Sequence, residues 1–194
     1  MSDAALLAAL DQRRSTPSLQ LGEPGPDAAT VLRMLHSAVR VPDHGKLVPF
    51  RFIAIEGQAR HALGEVLAAR ALQREPQAPT AAIDKDRSRF AHAPLVLAVV
   101  ARLHPDNPKV PEIEQWMTAG SVCFALLQAA QALGFGAQWL TGWAAFDADI
   151  AATLGLGEHE HVAGFIHIGT PKIDVPERER PDPAALLTHW QPDA

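Results

Sequence analysis

Strand-like and helix-like segments alternate along this chain, and the alternation limits the folds it can adopt. Residues 95–100 form a continuous apolar run rich in branched side chains, which predicts a central strand buried on both faces. Apolar periodicity and turn residues predict further strands over residues 50–55, 137–141 and 162–168. The same signals predict helices over residues 4–13, 27–39, 58–72, 81–91, 112–133, 147–154 and 183–189. Interleaved elements of this kind indicate an α/β or α+β sandwich, and no repeat or linker divides residues 1–194 into two domains.

The longest predicted helix, residues 112–133, is apolar on almost all sides. Such a helix is usually buried at the centre of a domain or in an interface. It carries more apolar surface than one small domain readily buries, and the pair Ala119–Gly120 permits close approach of a second chain. We therefore expect a homodimer with this helix at the interface.

Charge and cysteine content exclude several classes of protein. The net charge of −5 argues against bulk electrostatic binding to nucleic acid or anionic membranes. Cys123 is the one cysteine, so the chain can form neither an intramolecular disulfide nor a zinc site of several cysteines. The first residues lack the pattern of a signal peptide, and the apolar segment 116–127 is too short to span a bilayer. We expect a cytoplasmic protein.

Three polar or glycine-rich segments are candidates for chemistry. Arg13-Arg14-Ser15 follows the first predicted helix, and two guanidiniums beside a hydroxyl suit a phosphate or a ribityl chain. Residues 40–46 place four ionisable side chains on one loop, where function often concentrates. In residues 134–142 the glycines let the backbone approach a flat ligand, with Trp139 and Thr141 beside it. Each segment also has a plain structural reading: a basic helix end, a charged surface turn and a tight helix-to-strand turn.

Other segments resemble sites but favour structural roles. His159 and His161 share one side of an extended segment, yet no third metal ligand is evident nearby, so we predict no metal site. Residues 155–157 resemble part of a dinucleotide fingerprint but follow no strand and lack its third glycine. Ser121 and Cys123 lie in the apolar helix without a nearby base in sequence, which favours core positions over nucleophiles.

Taken in order, these segments resemble the nitroreductase family, and most of all its short, minimal members. No single motif is specific, but six of them follow one another at fitting spacings over residues 4 to about 190. They are Arg13-Arg14-Ser15, Arg40-Val41-Pro42-Asp43-His44, the strand from Phe50 to Gly57, Met117-Thr118-Ala119-Gly120, Gly134-Phe135-Gly136 with Trp139, and Gly169-Thr170-Pro171.

The resemblance implies an α+β fold of three layers, with a mixed central β-sheet flanked by helices and the long helix at a two-fold interface. It implies FMN in clefts built by both subunits, and a hydride relay from NAD(P)H to a small acceptor such as a nitroaromatic or a quinone. No acid–base triad is needed for such a relay, because the flavin carries the chemistry. A flavin-binding reservoir or sensor without turnover is the alternative, and a metal-dependent hydrolase using His159 and His161 is a second.

Each candidate residue takes an expected role from the resemblance. Arg13, Arg14 and Ser15 would hold the phosphate, ribityl chain and pyrimidine edge of FMN. Trp139, Leu140 and Thr141 would lie along the flavin from the same subunit, whereas Arg40 and His44 would come from the partner. Arg178 and Arg180 stand where longer relatives place basic phosphate ligands.

Two positions depart from the family pattern. Leu140 replaces an arginine that is frequent in the subgroup, which could change contacts with substrate or nicotinamide. Gly45 separates His44 from Lys46, so a role for that lysine does not carry over.

Overall fold

The structure is a computed structural model, and it describes residues 3–192. Twelve α-helices and β-strands follow one another along this part of the chain. They are α1 (Asp3–Asp11), β1 (Leu21–Gly22), α2 (Ala28–Ala38), β2 (Phe50–Glu56), α3 (Gln58–Arg74), α4 (Thr80–Arg87), β3 (Leu95–Arg102), α5 (Glu112–Ala132), β4 (Gly136–Leu140), α6 (Ala148–Thr153), β5 (Glu160–Pro171) and α7 (Pro183–Leu186). All the predicted helices and strands are present; the two-residue strand β1 was not predicted.

The sheet has the order β1–β5–β3–β2, and β4 pairs with β5 as well. All the pairings among the described residues are antiparallel, so the expectation of a mixed sheet is wrong in this detail. The reason lies in the connections. Two helices, α3 and α4, separate β2 from β3 and pack on each other, so the chain returns to the end of the sheet where β2 finished. A single helix, α5, leads from β3 to β4, so these two strands run in the same direction, but β5 lies between them.

Helices cover both faces of the sheet, which gives the expected three layers. On one face, Leu97 and Val99 of β3 pack in a core with Val122 and Leu126 of α5. On the other face, Val96 and Ala98 belong to a second core with helices α3 and α6. Residues 95–101 of β3 are buried throughout, which confirms the prediction of a strand enclosed on both sides.

Helix α5 has one buried face and one exposed apolar face. Its buried side chains pack against the sheet. On the opposite side Ile113, Met117 and Phe124 are 60%, 62% and 45% exposed, at spacings of four and seven residues. These spacings place the three side chains in one stripe along the helix, which we call the α5 stripe. Each helix within residues 3–192 is too short or too polar to span a bilayer.

Candidate functional site

Arg13, Arg14 and Ser15 lie between the carboxyl end of α5 and the start of β4. The segment leaves α1 after Asp11 and becomes extended. The backbone N–H of Arg14 donates to Oε1 of Gln131 at 3.1 Å, and the N–H of Thr16 donates to the carbonyl of Ala137 at 3.0 Å. These two hydrogen bonds fix the position of the segment relative to the core.

The chain beyond β5 brings two more guanidiniums to this place. Arg178 and Arg180 line a small cavity together with Arg13, Arg14 and Ser15. Burial lowers the pKa of Arg13, and the neighbouring charges of Arg180, Arg14 and Arg178 lower it further. We call these four side chains the arginine cluster. Such a concentration of cations is suited to an anion with several oxygen acceptors.

One carboxylate, that of Glu177, is paired with the arginine cluster. It forms ion pairs with Arg14 and with Arg180, the second at 2.9 Å. Arg13 instead donates from Nη1 to the hydroxyl of Ser15 at 3.2 Å. Among the side chains of residues 7–192, neither Arg13 nor Arg178 forms an ion pair with a carboxylate. The four guanidiniums and Glu177 together therefore keep a surplus of positive charge.

Strand β4 runs away from this cluster and presents Trp139. Its five residues span about 13 Å at about 3.3 Å per residue. The indole Nε1 of Trp139 donates to the carbonyl of Ala163 at 3.1 Å, and the ring lies against Gly164, where a Cβ would collide with it. Trp139 remains partly exposed, while Leu140 and Thr141 are half-buried. Strand β4 therefore has cations near its start and a partly exposed indole near its end.

A polar network that no sequence pattern indicated lies at the far end of β4. The guanidinium of Arg89 lies close to Gly142, since a Cβ there would be 2.9 Å from Nη1 of Arg89. Arg89 forms an ion pair with Asp86, whose carboxylate also accepts from Nε1 of Trp143 at 3.1 and 3.2 Å. An Asp–Arg pair three residues apart is common at helix ends, so only the tertiary structure shows that it supports residues 141–143.

His44 lies on a loop whose backbone is tightly constrained. Both carboxylate oxygens of Asp43 accept backbone N–H groups, from Leu47 at 3.1 Å and from Val48 at 2.8 Å. Gly45 has φ +70°, which explains a glycine at this position, and Val48 has φ +50°, which is rare for a β-branched residue. Strained backbone often marks functional loops.

His44 and Arg40 do not reach the other candidates within one chain. Nδ1 of His44 is 2.7 Å from Oε2 of Glu114, near the amino end of α5. The segment with Arg14 is bonded to Gln131, near the opposite end. Seventeen residues of helix separate these two contacts, which corresponds to about 25 Å. Arg40 is exposed at the end of α2. The structure thus joins the first and third candidate segments and separates both from the second.

Ser121 and Cys123 have surroundings that suit structural roles. Among residues 3–192 no group of three or more His, Cys, Asp or Glu side chains could hold a metal ion. The hydroxyl of Ser121 donates to the carbonyl of Met117 at 2.8 Å, as in many helices. Cys123 is buried, and burial raises its pKa to about 12, which disfavours the thiolate that a nucleophile requires.

Known proteins that are similar to this chain carry nitroreductase or nitroreductase-like names. The profile of the Nitroreductase family matches residues 10–170. The protein YdjA of Escherichia coli (strain K12), provisionally named an NAD(P)H nitroreductase, is 34% identical over 185 residues, which is 95% of this chain and 98% of YdjA. A crystal structure of a nitroreductase-like family protein from Bacillus cereus has a TM-score of 0.79 at 15% identity and covers 95% of both chains. A Desulfovibrio desulfuricans protein, provisionally named a nitroreductase and crystallised with FMN, has a TM-score of 0.70 at 22% identity, covering 96% of this chain and 98% of its own.

Proposed function

The chain belongs to the nitroreductase family, and we propose that it binds FMN and transfers electrons from NAD(P)H to a small acceptor such as a nitroaromatic or a quinone. The observation that carries this proposal is the arginine cluster at the start of β4. It offers a site for a charged phosphate at one end of a strand along which an elongated ligand can lie.

The charge of the arginine cluster fits the phosphate of FMN. A phosphate monoester carries roughly 1.5 to 2 negative charges near neutral pH and accepts hydrogen bonds at three oxygens. Arg13, Arg178 and Arg180 supply planar forks of N–H donors, and the Ser15 hydroxyl, which accepts from Arg13, is within reach of the same ligand. The relative from Desulfovibrio desulfuricans was crystallised with FMN, which supports the same ligand here.

The remainder of β4 fits a flat ring system. Trp139, Leu140 and Thr141 would lie along the flavin, and the network of Asp86, Arg89 and Trp143 holds the segment that follows them. Nη1 of Arg89 lies beside Gly142 and is not engaged by Asp86, so this N–H donor would favour a flavin that has gained negative charge. When bound, FMN supplies the hydride chemistry, and the protein contributes position and electrostatics. A single cleft used in turn by NAD(P)H and the acceptor predicts ping-pong kinetics with parallel double-reciprocal plots.

We propose that two copies of the chain complete each site. The α5 stripe is an exposed apolar face that a second copy would cover. If two α5 helices pack antiparallel across a two-fold axis, the amino end of one lies beside the carboxyl end of the other. That arrangement would bring His44 and Arg40 of the partner subunit toward the Arg13–Ser15 segment. A site built from both subunits would explain why His44 and the Arg13–Ser15 segment lie about 25 Å apart within one chain.

The visible spectrum tests the cofactor and the electron transfer together. We expect the purified protein to show a flavin spectrum at about one FMN per chain, and we expect it to bleach when NADH or NADPH is added without oxygen. A flavin spectrum that persists under these conditions would instead support a flavin reservoir. A colourless protein that takes up no added FMN would contradict the proposal.

A substitution in the arginine cluster tests the assigned position of the phosphate. Arg13→Gln is expected to weaken FMN binding at least tenfold and to leave riboflavin binding almost unchanged, because riboflavin lacks the phosphate. Arg33→Gln, on the exposed side of α2, is the matched control. Equal losses of affinity for FMN and riboflavin would contradict the assignment of the phosphate to the arginine cluster.

A further inference from the structure

Glu177 occupies the arginine cluster in a manner that resembles a bound anion. Its carboxylate forms ion pairs with Arg14 and Arg180, and it accepts the backbone N–H of Arg178 at 2.9 Å. A carboxylate and a phosphate engage guanidinium groups through the same planar pairs of N–H donors. Two of the four guanidiniums are therefore already engaged by an acceptor of the chain itself.

The segment that carries Glu177 can move its carboxylate without unfolding a helix or strand. No regular element lies between the end of β5 at Pro171 and the start of α7 at Pro183. The Glu177 side chain is 50% exposed, so water can solvate the carboxylate if it leaves the arginines. Displacement therefore costs the two ion pairs and little buried surface.

We propose that Glu177 is an internal competitor for the phosphate group of FMN, holding Arg14 and Arg180 in the free protein and leaving them when the phosphate binds. This inference rests on the proposed function. Displacement of Glu177 costs the same free energy for any ligand that takes its place on the arginines, so it weakens the binding of FMN and of inorganic phosphate by the same factor. FMN can offset this cost through ring contacts along β4, whereas inorganic phosphate has no such contacts.

The expected size of the effect is modest because the ion pairs are partly exposed. Exposed ion pairs contribute little individually, so the removal of two corresponds to a change of about three- to tenfold in affinity. Glu177→Gln keeps the shape of the side chain and removes its charge. We expect this variant to bind FMN about three- to tenfold more tightly than the wild-type chain.

Titration of flavin-free protein with FMN and riboflavin, followed by flavin fluorescence, tests this inference. Glu179→Gln is the matched control, since Glu179 is exposed on the same segment and its replacement makes the same change in net charge. We expect tighter FMN binding for Glu177→Gln only, with riboflavin unchanged in all three proteins. Weaker or unchanged FMN binding by Glu177→Gln would overturn the inference, because Glu177 would then position the arginines or be irrelevant to the ligand.

Inorganic phosphate provides a second probe that needs no flavin. We expect phosphate to raise the thermal unfolding temperature of Glu177→Gln more than that of the wild-type chain or Glu179→Gln, and equal shifts would count against competition. The two proposals fail separately. A wild-type chain that binds no FMN contradicts the proposed function, whereas normal FMN binding with no gain in Glu177→Gln contradicts this inference alone.

Discussion

The buried histidine of β5 should make the protein lose stability in mild acid. His167 has 1% of its surface exposed, and neither ring nitrogen has a hydrogen-bond partner among the described residues. Its ring is stacked on Phe90, with the centroids 5.7 Å apart and the planes inclined by 5°. Burial, followed by the charges of Arg89 and His92, lowers the pKa of His167 from 6.5 to about 4.

The direction and size of the effect follow from this pKa. The unfolded chain binds a proton at His167 below about pH 6.5, whereas the folded protein resists protonation until about pH 4. The stability linked to the neutral ring is therefore complete above pH 6.5 and is lost as the pH falls toward 4. Over the whole range the loss is about 3 kcal/mol, and between pH 7.5 and pH 5 it is about 2 kcal/mol.

Replacement of His167 with leucine should remove this dependence. The leucine variant should also be more stable at pH 7.5 by about 1 kcal/mol or more, because no unpaired polar nitrogen remains buried. Urea unfolding at pH 7.5 and pH 5, followed by circular dichroism, measures both changes. His36→Gln, on the exposed side of α2, is the control. A leucine variant that loses as much stability as the wild-type chain between the two pH values would refute the reasoning.

Three other substitutions test the sheet, the site and the interface. Glu160→Gln should lower the free energy of unfolding by about 2 kcal/mol, since the carboxylate accepts two hydrogen bonds of 2.7 Å from Arg51. Arg51 holds the pKa of Glu160 at about 2, so this stability is present above pH 4.5 and the wild-type chain loses it toward pH 2. Gly164→Ala should displace the indole of Trp139, destabilise the fold by about 1–3 kcal/mol and change tryptophan fluorescence; an unchanged spectrum would contradict the close contact. We expect a dimeric mass in light scattering for the wild-type chain and a monomeric mass for Phe124→Asp, and a dimeric variant would exclude the α5 stripe as the interface.

Short stretches of sequence predicted most helices and strands, because the residues that begin, end and bury such an element lie close together in the chain. Helix α2 begins after Asp27, whose carboxylate accepts the N–H of Thr30 at 2.8 Å, and such capping needs only four residues of sequence. The apolar run of β3 is continuous because helices cover both faces of the sheet. By contrast, β1 has two residues, which are too few to show the alternation of apolar and polar side chains that predicts a strand. It is a strand because it pairs with β5.

Strand direction and the composition of the site depended on long-range contacts. Strands β2 and β3 are antiparallel because the two helices between them bring the chain back to the end of the sheet where β2 finished. The apolar pattern of a helix does not specify at which end of the sheet the next strand begins. The resemblance of motifs selected Arg13, Arg14 and Ser15, but Glu177 and Arg89 belong to segments that read as ordinary charged surface. Folding places Glu177 beside Arg14 and Arg89 beside Gly142, although these residues are distant in sequence. The sequence alone determined the helices and strands and the kinds of side chain available for chemistry. Tertiary packing decided which charged side chains lie together, because electrostatic interactions depend on distance in space.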